Sequence, residues 1–222
     1  MASSGRASAN VIQALREAGR PMSVSELCAV GASRATLSRM TAAGEIERAA
    51  YGVYRLPDPD SVHADWAALS KRVPTAVICL TSAARFHGIT QDMPVSIEVA
   101  VPRSVGRIVG GVGRAFPINL SVMHWRDEKA FQLGVETHVI EGIPVRITSR
   151  ERTVIDMFRF SLLNPSCRAI RISEESALDC LSRALDDTKT RRDEITRLAM
   201  EFGVREAMTP IIKAMNFLSP VV

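Results

Sequence analysis

The sequence predicts an α+β protein: an N-terminal winged helix-turn-helix followed by a mixed α/β domain with a helical C-terminal subdomain. Three observations predict it. Two short, capped helical segments sit close together near the N-terminus, joined by "GAS". A hairpin bearing arginine and tyrosine follows them. Beyond a stretch broken twice by proline, "LPDPD", strand-like runs alternate with helical ones and finally give way to helical spacing alone.

Taken in order, Asn10 reads as a helix cap, with Val11, Ile12, Leu15 and Ala18 on one apolar face and Gly19 as the stop. Ser23 and Glu26 stand at capping-box spacing and open a second helix with Leu27 and Val30 inward, ending at Gly31. Ser33 caps a third helix, whose Leu37 and Met40 share a face and which ends at Gly44. Residues 46–48 and 53–56 are strand-like and turn through "AAYG", where Gly52 supplies the positive φ of a tight turn. These elements predict a winged-helix domain over residues 1–60, and residues 61–222 form the second domain.

In that second domain, "AVICL" and "VSIEVAVPR" read as strands around the helical "TSAARFHG". "INLSVMHW" and a pair folded about Glu141 and Gly142 add further strands. "SRERTVIDMFRF" opens a helix. From residue 173 onward, Leu178, Leu181 and Leu185, then Ile195, Leu198 and Phe202, then Ile211, Ile212 and Met215 recur at helical spacing.

The chain has 222 residues and a formal charge of +4. Residues 1–56 carry seven arginines against four glutamates, so three of the four net positive charges lie there. A local basic surface favours a polyanionic partner. On the third helix, 100° steps place Ala35, Ser38, Arg39 and Ala42 outward and Arg34 on the flank. Arg39 is the expected base reader, because its planar fork matches guanine O6 and N7 in the major groove. Arg34 and Thr36 are expected at phosphates near the helix N-terminus, and Ser38 on the reading face. Arg48, Tyr51 and Arg55 are expected to hold the DNA backbone or minor groove from the wing.

The four cysteines, Cys28, Cys79, Cys167 and Cys180, lie far apart without metal-ligand spacing and are expected as buried free thiols. No phosphate loop or nucleophile elbow is present. No apolar run approaches a membrane span and "MASSGRASAN" lacks an apolar core, so a cytoplasmic protein is expected. His87 is expected to interact with the C-terminal carbonyls of its own helix. Asp92 and Glu98 are the acidic pair that a nuclease reading would use, but the residues after Glu98 are Val99, Ala100, Val101 and Pro102, which offer a divalent cation little else. That reading, a nucleic-acid-processing enzyme with a winged-helix targeting domain, is the alternative. The leading one has no catalysis, cofactor or metal.

Four motifs in order, "YGVYRL" at 51–56, "LTSAARFHGIT" at 80–90, "VAVPR" at 99–103 and "ITSRERTVIDMF" at 147–158, resemble the AbiEi-type antitoxins of bacterial type IV toxin–antitoxin systems. The resemblance covers nearly the whole chain. It implies a repressor that binds inverted repeats in its own promoter and, through its C-terminal domain, counters a nucleotidyltransferase-like toxin encoded beside it. Arg152, Thr153 and Asp156 recur in the last motif. The resemblance makes them part of an antitoxin surface, whereas the four-residue spacing of Arg152 and Asp156 is that of a helical ion pair.

Overall fold

The computed structural model describes residues 2–57, 63–105, 119–163 and 172–218. The expected cut after residue 60, the glycine-rich run at 109–116 with Arg107 and Arg114, and Cys167 fall outside the described residues. The fold is α+β. The chain divides into two units, the first comprising Met1–Ala76, Ser104–Asn119 and Thr137–Arg146, the second Val77–Arg103, Leu120–Glu136 and Ile147–Val222.

In the first unit, α1 (Ala2–Ala18), α2 (Val24–Ala29) and α3 (Arg34–Ala42) are accompanied by β1 (Met22–Ser23), β2 (Glu47–Ala50) and β3 (Val53–Arg55), with α4 (Ala64–Arg72) after them. The three strands form an antiparallel sheet of order β1-β3-β2. The helices and sheet close on one core in which Val11, Leu27, Leu37 and Met40 are fully buried. Each such side chain contributes roughly 1.5–3 kcal/mol by leaving water. α1 starts well before the expected cap at Asn10. Ala7 and Ala9 continue the helix readily, and the Asn10 side chain is engaged elsewhere, its Nδ2 donating to the Val30 carbonyl at 3.4 Å.

The capping box of α2 is present as expected: Glu26 N donates to Ser23 Oγ (3.3 Å) and Ser23 N donates to Glu26 Oε2 (2.7 Å). Glu26 also receives Arg20 and Lys71, each at 2.9 Å, so one carboxylate ties α2 to α4 and to the α1–β1 connection. Burial pushes this carboxyl up, but the Ser23 N–H, Lys71, the Ser23 hydroxyl and Arg20 outweigh it and hold the pKa at about 2, below its ordinary 4.5. A depressed carboxylate contributes stability above pH 4.5 that is lost as pH falls toward 2. Glu26→Ala should therefore lower stability by about 1 kcal/mol at neutral pH, and the gap to wild type should narrow on acidification. Urea midpoints and amide exchange of α2 at both pH values check this.

In the second unit, β4 (Val77–Ile78) and α5 (Leu80–Phe86) precede β5 (Ile97–Pro102), and β6 (Leu120–Trp125) follows. β7 (Val135–Ile140) and β8 (Ile143–Thr148), whose residues Thr137–Arg146 are counted in the first unit, turn through Glu141 and Gly142, whose φ angles of 47° and 66° are the left-handed pair such a two-residue turn requires. The larger sheet has the order β6-β5-β4-β8-β7, with β4 antiparallel and β6 parallel to β5. Then come α6 (Arg150–Phe158), a π-helical turn at Arg159–Leu163, α7 (Glu174–Asp186), α8 (Arg192–Glu201) and α9 (Arg205–Leu218). On α7 the inward stripe is Ala177, Cys180, Leu181 and Ala184, and Leu178, expected inward, is 37% exposed. Cys79 and Cys180 are buried as expected, whereas Cys28 is exposed on the outer side of α2.

Candidate functional site

α3 is built to show one side. Ser33 caps it by accepting from Thr36 N at 3.1 Å, and Leu37 and Met40 anchor it with no exposed surface. The helical period then carries Arg34, Ser38 and Thr41 along the flank that faces the β2–β3 hairpin. The hairpin tip is the pair Tyr51 and Gly52, with Gly52 at φ 73°, between the paired residues Ala50 and Val53. The carbonyl of Gly52 accepts from Val24 N at 2.8 Å, which fixes the tip to the start of α2.

Between α3 and the hairpin lies an open groove of about 440 Å³. Its floor is small and apolar, from Val24, Ala42 and Gly52. Arg34, Ser38 and Thr41 form one wall, and Arg48, Tyr51 and Tyr54 the other. Tyr51 is 57% exposed, and the Arg48 guanidinium carbon lies 5.0 Å from its ring centre, a cation–π contact.

The charge arrangement is selective. Arg20 and Lys71 are matched by Glu26, and Arg55 by Glu47 at 3.1 Å and Asp65 at 3.8 Å. The groove's lining contains no acidic side chain, and among the described residues neither Arg34 nor Arg48 has an acidic partner. Two guanidiniums facing one groove without a carboxylate make a site for an anion, and the walls add four hydroxyl-bearing residues beside them, Ser38, Thr41, Tyr51 and Tyr54.

Of the seven residues expected at DNA, Arg34, Ser38, Arg48 and Tyr51 meet in this groove. Three do not. Arg39 lies on the opposite flank of α3, where its Nη2 donates to Ser8 Oγ of α1 at 3.1 Å. Thr36 belongs to the cap, with its N–H and Oγ1 both engaged by Ser33. Arg55, expected to hold the DNA backbone, instead closes the cross-strand pair Glu47 and Arg55 and retains 18% exposure of its side chain. Thr41 and Tyr54 were not expected here. The signal for Thr41 was its position seven residues after Arg34, two turns along the same flank.

In the second unit, Arg152, Thr153 and Asp156 are all fully buried and form no antitoxin surface. Arg152 Nε donates to Asp156 Oδ2 at 2.9 Å and its Nη1 to the carbonyls of Ala130 (3.2 Å) and Leu133 (2.6 Å). Its guanidinium carbon stands 3.8 Å from the Phe202 ring centre and 4.8 Å from that of Trp125. The hydroxyls of Thr153 and Thr148 lie 2.8 Å apart. The motif at 147–158 thus organises the interior, where Arg152, Thr153 and Asp156 find partners for all but Arg152 Nη2, which has no hydrogen-bond partner among the described residues.

Glu98, half of the acidic pair, accepts from Ser82 N at 3.0 Å while its own N–H donates to Ser82 Oγ. It caps the start of α5. Burial pushes its carboxyl up, against the hydrogen bonds from Ser82 and Thr81. No group of three or more His, Cys, Asp or Glu side chains that could hold a metal occurs among the described residues. His87 Nε2 lies 2.7 Å from the carbonyl of Thr148 on β8, while its backbone N–H donates to the Ala83 carbonyl of its own helix. Among the described residues no helix is long and apolar enough to cross a membrane.

No family model matches the chain, and no curated protein matches it. Among solved structures it is similar to the RV2827C protein from Mycobacterium tuberculosis, with a TM-score of 0.61, 12% sequence identity, and 87% of this chain and 71% of that chain covered. At that identity the likeness is one of fold alone.

Proposed function

We propose that the first unit is a winged helix-turn-helix that binds double-stranded DNA, with α3 entering the major groove and the β2–β3 hairpin as the wing. The observation that carries this reading is the groove in which Arg34 and Arg48 face each other with no acidic partner, while Arg20, Lys71 and Arg55 are matched by carboxylates. A phosphodiester strand lying between a recognition helix and a wing needs cations on both sides of it, and the hydroxyl of Ser38 suits its oxygens. Arg39, held by Ser8, then approaches DNA from the α1 side.

The order of the four motifs extends the proposal to a transcriptional repressor of its own promoter that also acts as an antitoxin against a nucleotidyltransferase-like toxin encoded beside it. With Arg152, Thr153 and Asp156 buried, the antitoxin contacts lie on other residues. The protein is proposed to act in the cytoplasm, without catalysis or cofactor.

The test is a gel-shift titration of the full chain on the DNA upstream of its own gene and on random DNA of equal length, in EDTA and in magnesium. A repressor shifts the upstream DNA more tightly and leaves it intact in both buffers, with affinity falling as salt rises. Magnesium-dependent degradation would establish the nuclease alternative instead. Absence of any salt-sensitive shift would remove the DNA reading. For the antitoxin half, co-expression of the full chain with the neighbouring gene product should restore growth, and continued toxicity would sink it.

A further inference from the structure

We infer that the groove between α3 and the β2–β3 hairpin is also a site for free nucleoside polyphosphates, with the phosphates between Arg34 and Arg48 and the base on the ring of Tyr51. The inference takes the groove from the DNA reading but needs only its shape and charge.

Size is the first argument. A backbone phosphate occupies a small part of a groove of about 440 Å³, a volume within the ~300–1,000 Å³ range of sites that take whole small molecules. Surface chemistry is the second. Val24 and Ala42 give the floor an apolar patch that a phosphate does not use and a planar base does. Tyr51 is 57% exposed with Arg48 already over it, so the ring retains surface for a second planar group. Base-on-aromatic stacking tolerates any base. Charge is the third. Guanidiniums on opposite walls match a chain of phosphates, each able to take bidentate hydrogen bonds, and the lining opposes them with no carboxylate. The tip carrying Tyr51 is held by the hydrogen bond from Val24 N to Gly52 O, so the platform exists before a ligand arrives.

A nucleotide seated there occupies the space and the two cations that a DNA strand would use. Nucleotide and DNA are therefore mutually exclusive on the same unit, and nucleotide concentration sets how much protein is available to DNA.

The experiment is equilibrium dialysis of the full chain against ATP, inorganic tripolyphosphate and adenosine, followed by ATP titration of a preformed complex with a fluorescent duplex. ATP should bind about tenfold more tightly than tripolyphosphate, through the stacked base, and adenosine least of all. Arg34→Ala and Arg48→Ala should each weaken ATP and tripolyphosphate about tenfold. Tyr51→Leu should bring ATP down to the tripolyphosphate level and leave tripolyphosphate unchanged. All three side chains lie at the surface, and circular dichroism with urea midpoints verifies that the variants fold. Equal binding of ATP and tripolyphosphate, or ATP binding indifferent to Arg34→Ala, would overturn the inference. A duplex that binds in a salt-dependent way and is not displaced by ATP would overturn it while sparing the DNA reading. ATP binding of the stated pattern in a protein that never binds duplex would do the reverse.

Discussion

Arg152→Met should destabilise the second unit by about 3–5 kcal/mol, the range for removing one partner from a buried ion pair. Arg152 has no exposed surface, and its guanidinium serves the Asp156 carboxylate, the Ala130 and Leu133 carbonyls and the rings of Phe202 and Trp125 at once. Methionine fills comparable space but donates nothing. Two carbonyls are left without that donor, and among the described residues Asp156 keeps Arg159 as its ion-pair partner, whose Nη1 lies 3.2 Å from Oδ1. An uncompensated buried carboxylate is expensive, so Arg152→Met/Asp156→Leu should lose clearly less stability than the sum of its single changes. Urea midpoints of the four proteins complete the cycle. Strict additivity would show that the two residues are not energetically coupled. The same neighbourhood constrains Gly134: a Cβ there would come within 2.6 Å of the Arg152 Cβ at a φ of 63°. Gly134→Ala must displace α6 or the loop.

Local patterns in the sequence reported local structure well. Ser23 and Glu26 predict the cap of α2 because both hydrogen bonds span three residues, and Glu141 and Gly142 predict the hairpin turn because two left-handed residues in succession have little other use. β1, two residues long, has no alternation to read. Burial was less legible. The spacing of Arg152 and Asp156 predicts an ion pair and says nothing of depth, which is set by Leu133 and Ala130, 19 and 22 residues away, and by the rings of Trp125 and Phe202.

The candidate site was half legible for the same reason. Arg34 and Ser38 follow from one helical period, but which flank of α3 forms a groove depends on where the hairpin packs. That choice sets Arg34 and Thr41 in the groove and turns Arg39 toward α1. Arg55 lies outside the groove's lining because its fate depends on register. Once Ala50 pairs with Val53 across the turn, and an irregularity intervenes between Arg48 and Ala50, Glu47 falls opposite Arg55 and neutralises it.

That contrast between matched and unmatched arginines yields the sharpest expected result for DNA. The Arg34→Ala/Arg48→Ala double variant should bind the upstream DNA about 10²-fold or more weakly at moderate salt, since a hydrogen bond to a charged group contributes roughly 1.5–3 kcal/mol. Removing an arginine from a phosphate should also reduce the slope of log affinity against log salt by about 0.9, so the slope of the double variant should be shallower by nearly two. Arg55→Gln is the control. It has the same formal charge change as Arg34→Gln, but the charge removed is already met by Glu47 and Asp65, so affinity and slope should stay close to wild type. Both variants alter exposed or hairpin positions outside the buried core of the unit, and a matched urea midpoint separates a binding defect from unfolding. If Arg55→Gln weakened DNA binding as much as either groove substitution, general positive charge would govern affinity and the groove would lose its claim to be the DNA contact. A weaker affinity with an unchanged slope would place Arg34 and Arg48 on bases and not on phosphates.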